Sequence, residues 1–279
     1  MKIVNVQNLT KIYRRPFKKN GIKALNELSF SMKKGECLGV IGPNGSGKTT
    51  LFKCLLGFLK PTSGNITLFE QNSHLADLRL KIGFLYEKIN VYADLTPFEL
   101  LTYFGKLYKL DKNIIKDKIE ELLTFVDLSA YSHIKAKNFS KGMIQRLGIA
   151  LTLINDSELL IFDEPTSGLD PIGIIQISTI LRKLRDQGKT IILSSHILSH
   201  IEDICSDIII LKKGKITRSG KLSTLITTTN KYRIDLDLKE NDKPEIAIDK
   251  LKESGFSISS SKYTNKDLED IFFEIMGEE

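Results

Sequence analysis

The stretch GPNGSGKTT, at residues 42–50, decides the fold. It matches the pattern G-x-x-x-x-G-K-[ST], which forms a phosphate-binding loop between a strand and a helix. Both flanks fit, because the apolar run CLGVI precedes the motif and the helix-like segment LFKCLLGFL follows it. A chance match in a chain of this length has odds of roughly one in a hundred before the flanks are considered. The motif therefore predicts a phosphate site at this point of the chain.

Each residue type in this motif has a physical task. Gly42, Gly45 and Gly47 tolerate the backbone angles that turn several amide groups toward one anion, and the following helix directs its positive end at the same point. We expect Lys48 to hold the β- and γ-phosphates of a nucleotide. We expect the hydroxyl of Thr49 to ligate the Mg²⁺ ion that bridges those phosphates.

A second motif, SELLIFDE at residues 157–164, supplies carboxylates. Its continuous apolar run predicts a buried parallel strand, at whose end Asp163 can reach the metal. Glu164, directly after it, can orient or deprotonate the water that attacks the γ-phosphorus. An apolar run ending in an acid is common in α/β cores, but the continuation PTSGLD makes this motif much more specific.

Hydrophobic patterning predicts an α/β core around these motifs. Three segments in the first forty residues, KIVNVQNL, ALNELSFSM and ECLGVIG, alternate like antiparallel strands. A helix-rich stretch runs from Thr96 to Ile154, after which strand and helix patterns alternate up to a hairpin that turns at Lys213 to Lys215. The polar TTTN at residues 227–230 marks a boundary. We therefore predict one large domain, residues 1–225, and a small appended strand-and-helix unit, residues 226–279.

Composition favours a globular protein of the cytosol. The chain has 279 residues and is 41% hydrophobic, and its apolar runs fall far short of the roughly 18–20 residues that cross a bilayer. Its beginning lacks the features of a secretory signal. The chain has three cysteines, Cys37, Cys54 and Cys205. They are too few and too scattered for a disulfide framework or a metal site. The formal charge of +7 suggests nucleic acid, anionic lipid or phosphorylated ligands as partners, but its densest runs surround turn residues, and exposed loop charge explains such runs more often than specific binding does.

With GPNGSGKTT, LLIFDEPTSGLD and SSH (residues 194–196) in this order, the chain resembles the nucleotide-binding subunit of ABC transporters. The resemblance covers about residues 1–220 and includes the separations between motifs. It implies a P-loop NTPase (RecA-like) α/β core with an N-terminal antiparallel β subdomain, an inserted helical subdomain at about residues 88–155 and a small C-terminal α+β extension. It also implies Mg²⁺-dependent ATP hydrolysis by two copies packed head to tail. A separate transmembrane permease would hold them on the cytoplasmic face of the membrane.

The segment FSKGM, at residues 139–143, stands where this family carries its signature loop, usually LSGGQ. By itself it could be an ordinary helix cap. The resemblance implies that Ser140 and the amide of Gly142 complete the γ-phosphate site of the opposite subunit. Lys141 and Met143 replace the usual glycine and glutamine, and an SKGM signature resembles that of a branch of exporter ATPases. We therefore expect an export-type transporter.

Other positions are carried over from the family one by one. Tyr13 matches the aromatic residue that stacks on adenine, although a tyrosine at a strand end is by itself more often a packing residue. His196 matches the switch histidine that hydrogen-bonds the γ-phosphate. His196 and His200 could also be metal ligands at helical spacing, but neither an HExxH motif nor a third ligand is present. Ser167 and Asp170 match the loop that crosses to the opposite subunit.

Glu87 departs from the family pattern. It occupies the place of a glutamine that contacts Mg²⁺ and links the nucleotide site to the membrane subunit. A carboxylate can also ligate magnesium, so we expect Glu87 in the metal site, with a solvated loop acid as the open alternative. The complete expected site consists of catalytic Lys48, Glu164 and His196, of metal-binding Thr49, Glu87 and Asp163, and of nucleotide-binding Tyr13, Gly42, Pro43, Asn44, Gly45, Ser46, Gly47, Lys48, Thr49, Thr50, Ser140, Gly142 and Asp170.

Two other functions stay open on the sequence alone. A soluble ABC protein acting on nucleic acid would fit the positive charge, but such relatives usually carry two nucleotide domains or a long coiled-coil insertion, and the chain shows neither. A binding module without turnover is disfavoured because Glu164 and His196 are both present. We therefore expect ATP, Mg²⁺, a second copy and a permease as partners, and no nucleic acid.

Overall fold

The computed structural model describes residues 1–14, 21–71, 78–195, 198–226 and 244–256. The chain divides into two compact units, Met1–Thr227 and Thr228–Glu279. The strands are β1 (Lys2–Tyr13), β2 (Ile22–Lys33), β3 (Cys37–Ile41), β4 (Ser63–Leu68), β5 (Ile82–Leu85), β6 (Leu159–Asp163), β7 (Thr190–Ser195), β8 (Asp207–Lys212) and β9 (Lys215–Lys221). The helices are α1 (Lys48–Leu55), α2 (Pro97–Leu107), α3 (Lys112–Phe125), α4 (Lys141–Leu153), α5 (Pro171–Asp186), α6 (Leu198–Ile204), α7 (Leu222–Ile226) and, in the second unit, α8 (Pro244–Glu253).

The strands form two sheets. The first is antiparallel, in the order β2-β1-β4, as expected for the N-terminal part. The second has the order β5-β6-β7-β3-β8-β9 and is parallel except for the hairpin partner β9. One expectation is wrong: the segment CLGVI, which we placed among the antiparallel strands, is β3 and lies parallel between β7 and β8. Its continuous apolar sequence suits a strand that is covered on both faces.

Hydrophobic side chains fill both faces of the six-stranded sheet, because successive residues of a strand point to opposite sides. On β6, Leu159 and Ile161 pack with the cluster that includes helix α1, whereas Leu160 and Phe162 pack with the cluster that includes helices α4 and α5. Parallel neighbours require crossover connections, and these helices supply the covering layers. The carboxyl ends of β3, β6 and β7 consequently meet at one edge of the sheet.

Helices α2, α3 and α4 lie within the stretch for which we predicted helices. A capping box between Thr96 and Glu99 begins α2, with a proline at its first turn. Arg146 of α4 ties two of these helices together, since its guanidinium donates to the carbonyl of Val126 at 3.1 Å and to the carbonyl and carboxylate of Asp127 at 2.6 and 2.9 Å. Helix α4 is thereby fixed against the end of α3.

The predicted C-terminal unit is described only in part. The segment PEIAIDKLKESG contains helix α8, while KYRIDLDL, FSISSS and LEDIFFEIM lie outside the described residues. The three cysteines are buried free thiols, and burial raises the pKa of Cys37 and Cys54 to about 11.

None of the helices in the described parts of the chain has the length and apolar character needed to span a membrane.

Candidate nucleotide site

A pocket of about 430 Å³ opens at the carboxyl edge of the six-stranded sheet. The loop between β3 and α1 forms one wall, and the end of β6 and the residues after β5 form the others. It therefore brings together the glycine-rich motif and the three acids expected to act as metal ligands or general base, Glu87, Asp163 and Glu164. The lining residues are Ala24, Pro43, Asn44, Gly45, Ser46, Gly47, Lys48, Thr49, Thr50, Glu87, Asp163, Glu164 and Ser167.

The glycine-rich loop is shaped by its own backbone and by the neighbouring hairpin. Gly45 and Gly47 have φ angles of 77° and 113°, in the left-handed region that favours glycine. A Cβ atom at Gly47 would lie 2.7 Å from the carbonyl oxygen of Ala24, so a side chain there would collide with the backbone of β2. The carbonyl oxygen of Ser46 accepts a hydrogen bond of 2.9 Å from the amide of Gly214, between β8 and β9. The loop is thus held in place by elements on two sides.

The donor groups of this loop fit a phosphate and a magnesium ion. Helix α1 begins at Lys48 without a side-chain cap, so its first amide groups are available to an anion. The buried hydroxyl of Ser46 has no hydrogen-bond partner among the described residues. The hydroxyl of Thr49 donates to Oδ2 of Asp163 at 3.0 Å, which places two oxygen ligands of the kind that Mg²⁺ prefers side by side.

Lys48 and Glu164 form a buried ion pair inside the pocket. Nζ of Lys48 lies 3.3 Å from Oε1 of Glu164, and the two side chains are only 8% and 9% exposed. The same ammonium group donates to the carbonyl oxygen of Gly42 at 2.6 Å. Burying two charges is favourable only where hydrogen bonds accompany the pairing. The expected phosphate-binding cation and the expected general base are therefore direct partners in this structure.

Asp163 is held from two sides. Its Oδ1 accepts a hydrogen bond of 2.7 Å from the hydroxyl of Ser194, and its Oδ2 accepts the bond from Thr49. Burial raises the pKa of Asp163, the two hydrogen bonds oppose that shift, and the charges of Glu164 and Glu87 add to it.

We did not single out Ser194 individually from the sequence. The available signal was a pair of serines at the end of the apolar strand TIILSS, every residue of which is buried.

Glu164 has an uncommon backbone conformation, with a φ angle of 50°. Its amide donates to the hydroxyl of Ser194 at 2.9 Å, and its carbonyl oxygen accepts from the amide of Ser167 at 3.0 Å. These bonds hold the turn that follows β6. The side chain of Glu164 consequently enters the pocket beside Lys48.

Glu87 lies on the far wall of the pocket and is exposed. Its Oε1 accepts a long hydrogen bond, 3.5 Å, from the hydroxyl of Ser167. Among the described residues, no group of three or more His, Cys, Asp or Glu side chains is placed to hold a metal ion. Thr49 and Asp163 thus form the close pair of candidate ligands, while ligation by Glu87 stays a prediction.

Tyr13 lies next to the pocket rather than in its lining. It ends β1, is 39% exposed, and its hydroxyl lies 3.5 Å from the hydroxyl of Thr50. The ammonium of Lys11 lies 5.7 Å from the centre of its ring. An accessible ring beside the start of α1 is suitably placed to stack on a base whose phosphates occupy the loop.

Ser140, Gly142 and Asp170 are not among the residues that line the pocket. Ser140 caps α4, its hydroxyl accepting from the amide of Met143 at 3.2 Å, and Asp170 caps α5 through the amide of Gly173 at 2.8 Å. The two caps are neighbours, because a Cβ atom at Gly142 would lie 4.0 Å from the Cα atom of Gly173. The chain therefore carries two separate clusters of expected site residues.

His196 lies outside the described residues, so its predicted contact with the γ-phosphate remains a prediction. Nδ1 of His200 lies 3.2 Å from the hydroxyl of Thr166, beneath the turn that follows β6.

Comparisons with known proteins agree with this geometry. The sequence profile of the ABC transporter family matches residues 25–167. An uncharacterized ABC transporter ATP-binding protein of Nostoc sp. is 40% identical over 235 residues, which cover 83% of this chain and 70% of that protein. The bacitracin transport ATP-binding protein of Bacillus licheniformis is 36% identical over 250 residues, which cover 88% of this chain and 78% of that protein. The dimeric post-hydrolysis structure of an ATP-binding cassette bound to ADP and Pi superposes with a TM-score of 0.70 at 28% identity, over 78% of this chain and 98% of that chain.

Proposed function

The chain belongs to the ABC transporter family as an ATP-binding, ATP-hydrolysing protein, and from that premise we propose that it powers an export-type transporter through a separate membrane permease. Two copies act together at the cytoplasmic face of the membrane, and each closes the ATP site of the other. Magnesium is the metal of the reaction. The similarity to the bacitracin transport ATP-binding protein of Bacillus licheniformis supports a role in transport, and the SKGM signature of residues 140–143 favours the export direction.

The observation that carries this proposal is the separation of the two clusters. The pocket holds the phosphate loop together with Glu87, Asp163 and Glu164, whereas exposed Ser140 and half-buried Gly142 lie at the start of α4, outside the pocket lining. A hydroxyl and an amide at the start of a helix are suited to bind an anion. In a head-to-tail dimer the cap of one copy can meet the γ-phosphate in the pocket of the other. A solved cassette of similar fold is a dimer with ADP and Pi bound, which supports the joint action of two copies.

The residues of the expected site have separate parts in hydrolysis. The amides of the loop and the ammonium of Lys48 bind the phosphates, and the ring of Tyr13 stacks on the adenine. A magnesium ion held by Thr49 and Asp163 would neutralise charge that develops on the phosphate oxygens. Glu164, released from Lys48 when the phosphates bind that ammonium, accepts a proton from the attacking water at its Oε atoms. His196 donates a hydrogen bond to the γ-phosphate.

The surface of the helical stretch offers a docking face for the permease. Tyr92, Tyr103 and Leu107 are 60%, 44% and 59% exposed, and the rings of the two tyrosines lie 6.0 Å apart. Tyr103 and Leu107 share one face of α2, since they are four residues apart. Exposed apolar groups that cluster in this way are typical of interaction surfaces. Glu87, at the edge of the pocket, connects this stretch with the nucleotide site.

Cysteine cross-linking in native membranes tests the proposal. One cysteine is introduced near Ser140 and another near Gly45, at positions that are not assigned to ATP binding, in a background without Cys37, Cys54 and Cys205. We expect ATP with EDTA to promote a bond between two chains, and the cross-linked pair to copurify with a polytopic membrane protein. A bond found only within single chains would contradict the composite site. A cross-linked pair recovered without any membrane protein would contradict the permease.

A further inference from the structure

Ser194 is a buried hydroxyl that lies between the two acids of the pocket. Its side chain is fully buried, at 0% exposure, and it pairs with Asp163 across the parallel strands β6 and β7. Its hydroxyl donates to Oδ1 of Asp163 at 2.7 Å and accepts from the amide of Glu164 at 2.9 Å. One hydroxyl therefore contacts both residues that we expect to handle metal and water.

These two bonds have different consequences for the two acids. A hydroxyl has a single proton to donate, and Ser194 uses it to orient the carboxylate of Asp163. Its accepting lone pair receives the amide of Glu164, a residue whose φ angle of 50° is costly without support from its surroundings. The orientation of one acid and the backbone turn of the other are thus coupled through one oxygen atom.

We propose that Ser194 is a positioning residue for hydrolysis, which holds the metal-binding carboxylate of Asp163 and the general base Glu164 at fixed positions relative to each other. This proposal rests on the function proposed above. Ser194 is fully buried and is not among the residues that line the pocket, and the phosphate loop keeps its hydrogen bond with Gly214 without it. Loss of the hydroxyl should therefore impair the metal-dependent steps and leave metal-free ATP binding nearly unchanged. Groups that orient a metal ligand in this way typically change metal affinity or activity by about 10–100-fold.

The sharpest test compares Ser194→Val with Ser194→Thr, since the two introduced side chains have nearly the same shape and differ in the hydroxyl. We expect Ser194→Val to lower kcat by about 10–100-fold and Ser194→Thr to remain within about threefold of wild type. A fluorescent ATP analogue gives a second readout without turnover. Its Kd in EDTA should change less than about twofold in either variant, while the gain in affinity on adding Mg²⁺ should shrink about tenfold in Ser194→Val alone.

Two further variants keep the test decisive if the larger side chains disturb the core. Ser194→Ala removes the hydroxyl without adding volume and should behave like Ser194→Val. Ser157→Ala is the matched control, because Ser157 is also buried and hydrogen-bonded but precedes the opposite end of β6. Wild-type kcat and a wild-type response to Mg²⁺ in Ser194→Ala would overturn the proposal, as would equal losses in Ser157→Ala. A wild-type protein that hydrolyses ATP without a divalent metal would instead refute the metal assignment of the proposed function.

Discussion

Replacing Glu164 by glutamine should slow hydrolysis and, at the same time, tighten the binding of ATP. Hydrolysis should fall by about 10² to 10⁴, the range expected when a positioned general base is lost. Binding should tighten because Glu164 is the partner of Lys48, at 3.3 Å in a buried site. ATP must draw the ammonium of Lys48 from that carboxylate before its phosphates can bind there. Glutamine keeps the size of the side chain and removes the competing charge.

The structure sets the size of the binding effect. At 3.3 Å and an effective dielectric constant of about 20, the Coulomb attraction between Lys48 and Glu164 is about 5 kcal/mol. Desolvation of two buried ions offsets most of this attraction. A net free energy of about 1–2 kcal/mol then remains as the cost of separating Lys48 from Glu164 when ATP binds. Removing this cost corresponds to roughly 5–30-fold tighter ATP binding by Glu164→Gln. The carbonyl of Gly42 continues to accept from Lys48 in both proteins, so its contribution cancels.

Calorimetry in EDTA measures the Kd for ATP without turnover, and phosphate release with Mg²⁺ measures hydrolysis. Glu158→Gln is the matched control, because Glu158 forms a more exposed ion pair with Lys81 at the other end of β6. We expect the control to leave Kd and rate unchanged. Hydrolysis by Glu164→Gln within about threefold of wild type would refute the general-base assignment. An unchanged Kd would refute the competition between Glu164 and the phosphates for Lys48.

Two further predictions concern neighbouring charges. Lys48→Ala should abolish measurable ATP hydrolysis because the phosphates lose their buried cation. Lys53 lies on the exposed side of the same helix, so the control variant Lys53→Ala should hydrolyse ATP normally. Full turnover by Lys48→Ala, in a preparation free of contaminating ATPase, would contradict the role of Lys48. Asp163→Asn should raise the melting temperature of the protein without nucleotide at pH 8, by about 2–4 °C for each kcal/mol gained. Burial holds the pKa of Asp163 above its ordinary value of 3.8. At a pH above this raised pKa the buried carboxylate is ionised and destabilises the fold. The gain in melting temperature of Asp163→Asn should therefore disappear as the pH falls to 3.8, where the carboxyl group is protonated in the folded protein. Thermal unfolding over a pH series measures this, and an equal advantage at every pH would show that charge burial is not its cause.

The sequence predicted those parts of the site that depend on local patterns. The glycine-rich motif, its flanking strand and helix, and the buried strand before Asp163 are each set by residues within about ten positions of one another. Such short-range constraints leave a readable signature. The assignment of CLGVI to the antiparallel sheet failed because its strand pairing is long-range. Its partners, β7 and β8, lie more than 140 residues further along the chain, and a run of apolar residues does not specify which strands it will join.

The contacts between motifs could not be predicted from the sequence, for a related reason. Asp163 and Glu164 are adjacent in the chain, yet one carboxylate is bound by Thr49 and Ser194 and the other lies against Lys48. Side chains of an extended strand alternate between its faces, but the strand ends at Asp163 and Glu164 takes a left-handed turn. That turn is supported by Ser194, from a strand some thirty residues away. The different tasks of the two neighbouring acids therefore depend on the register of β6 against β7, which places a serine rather than an apolar residue opposite Asp163.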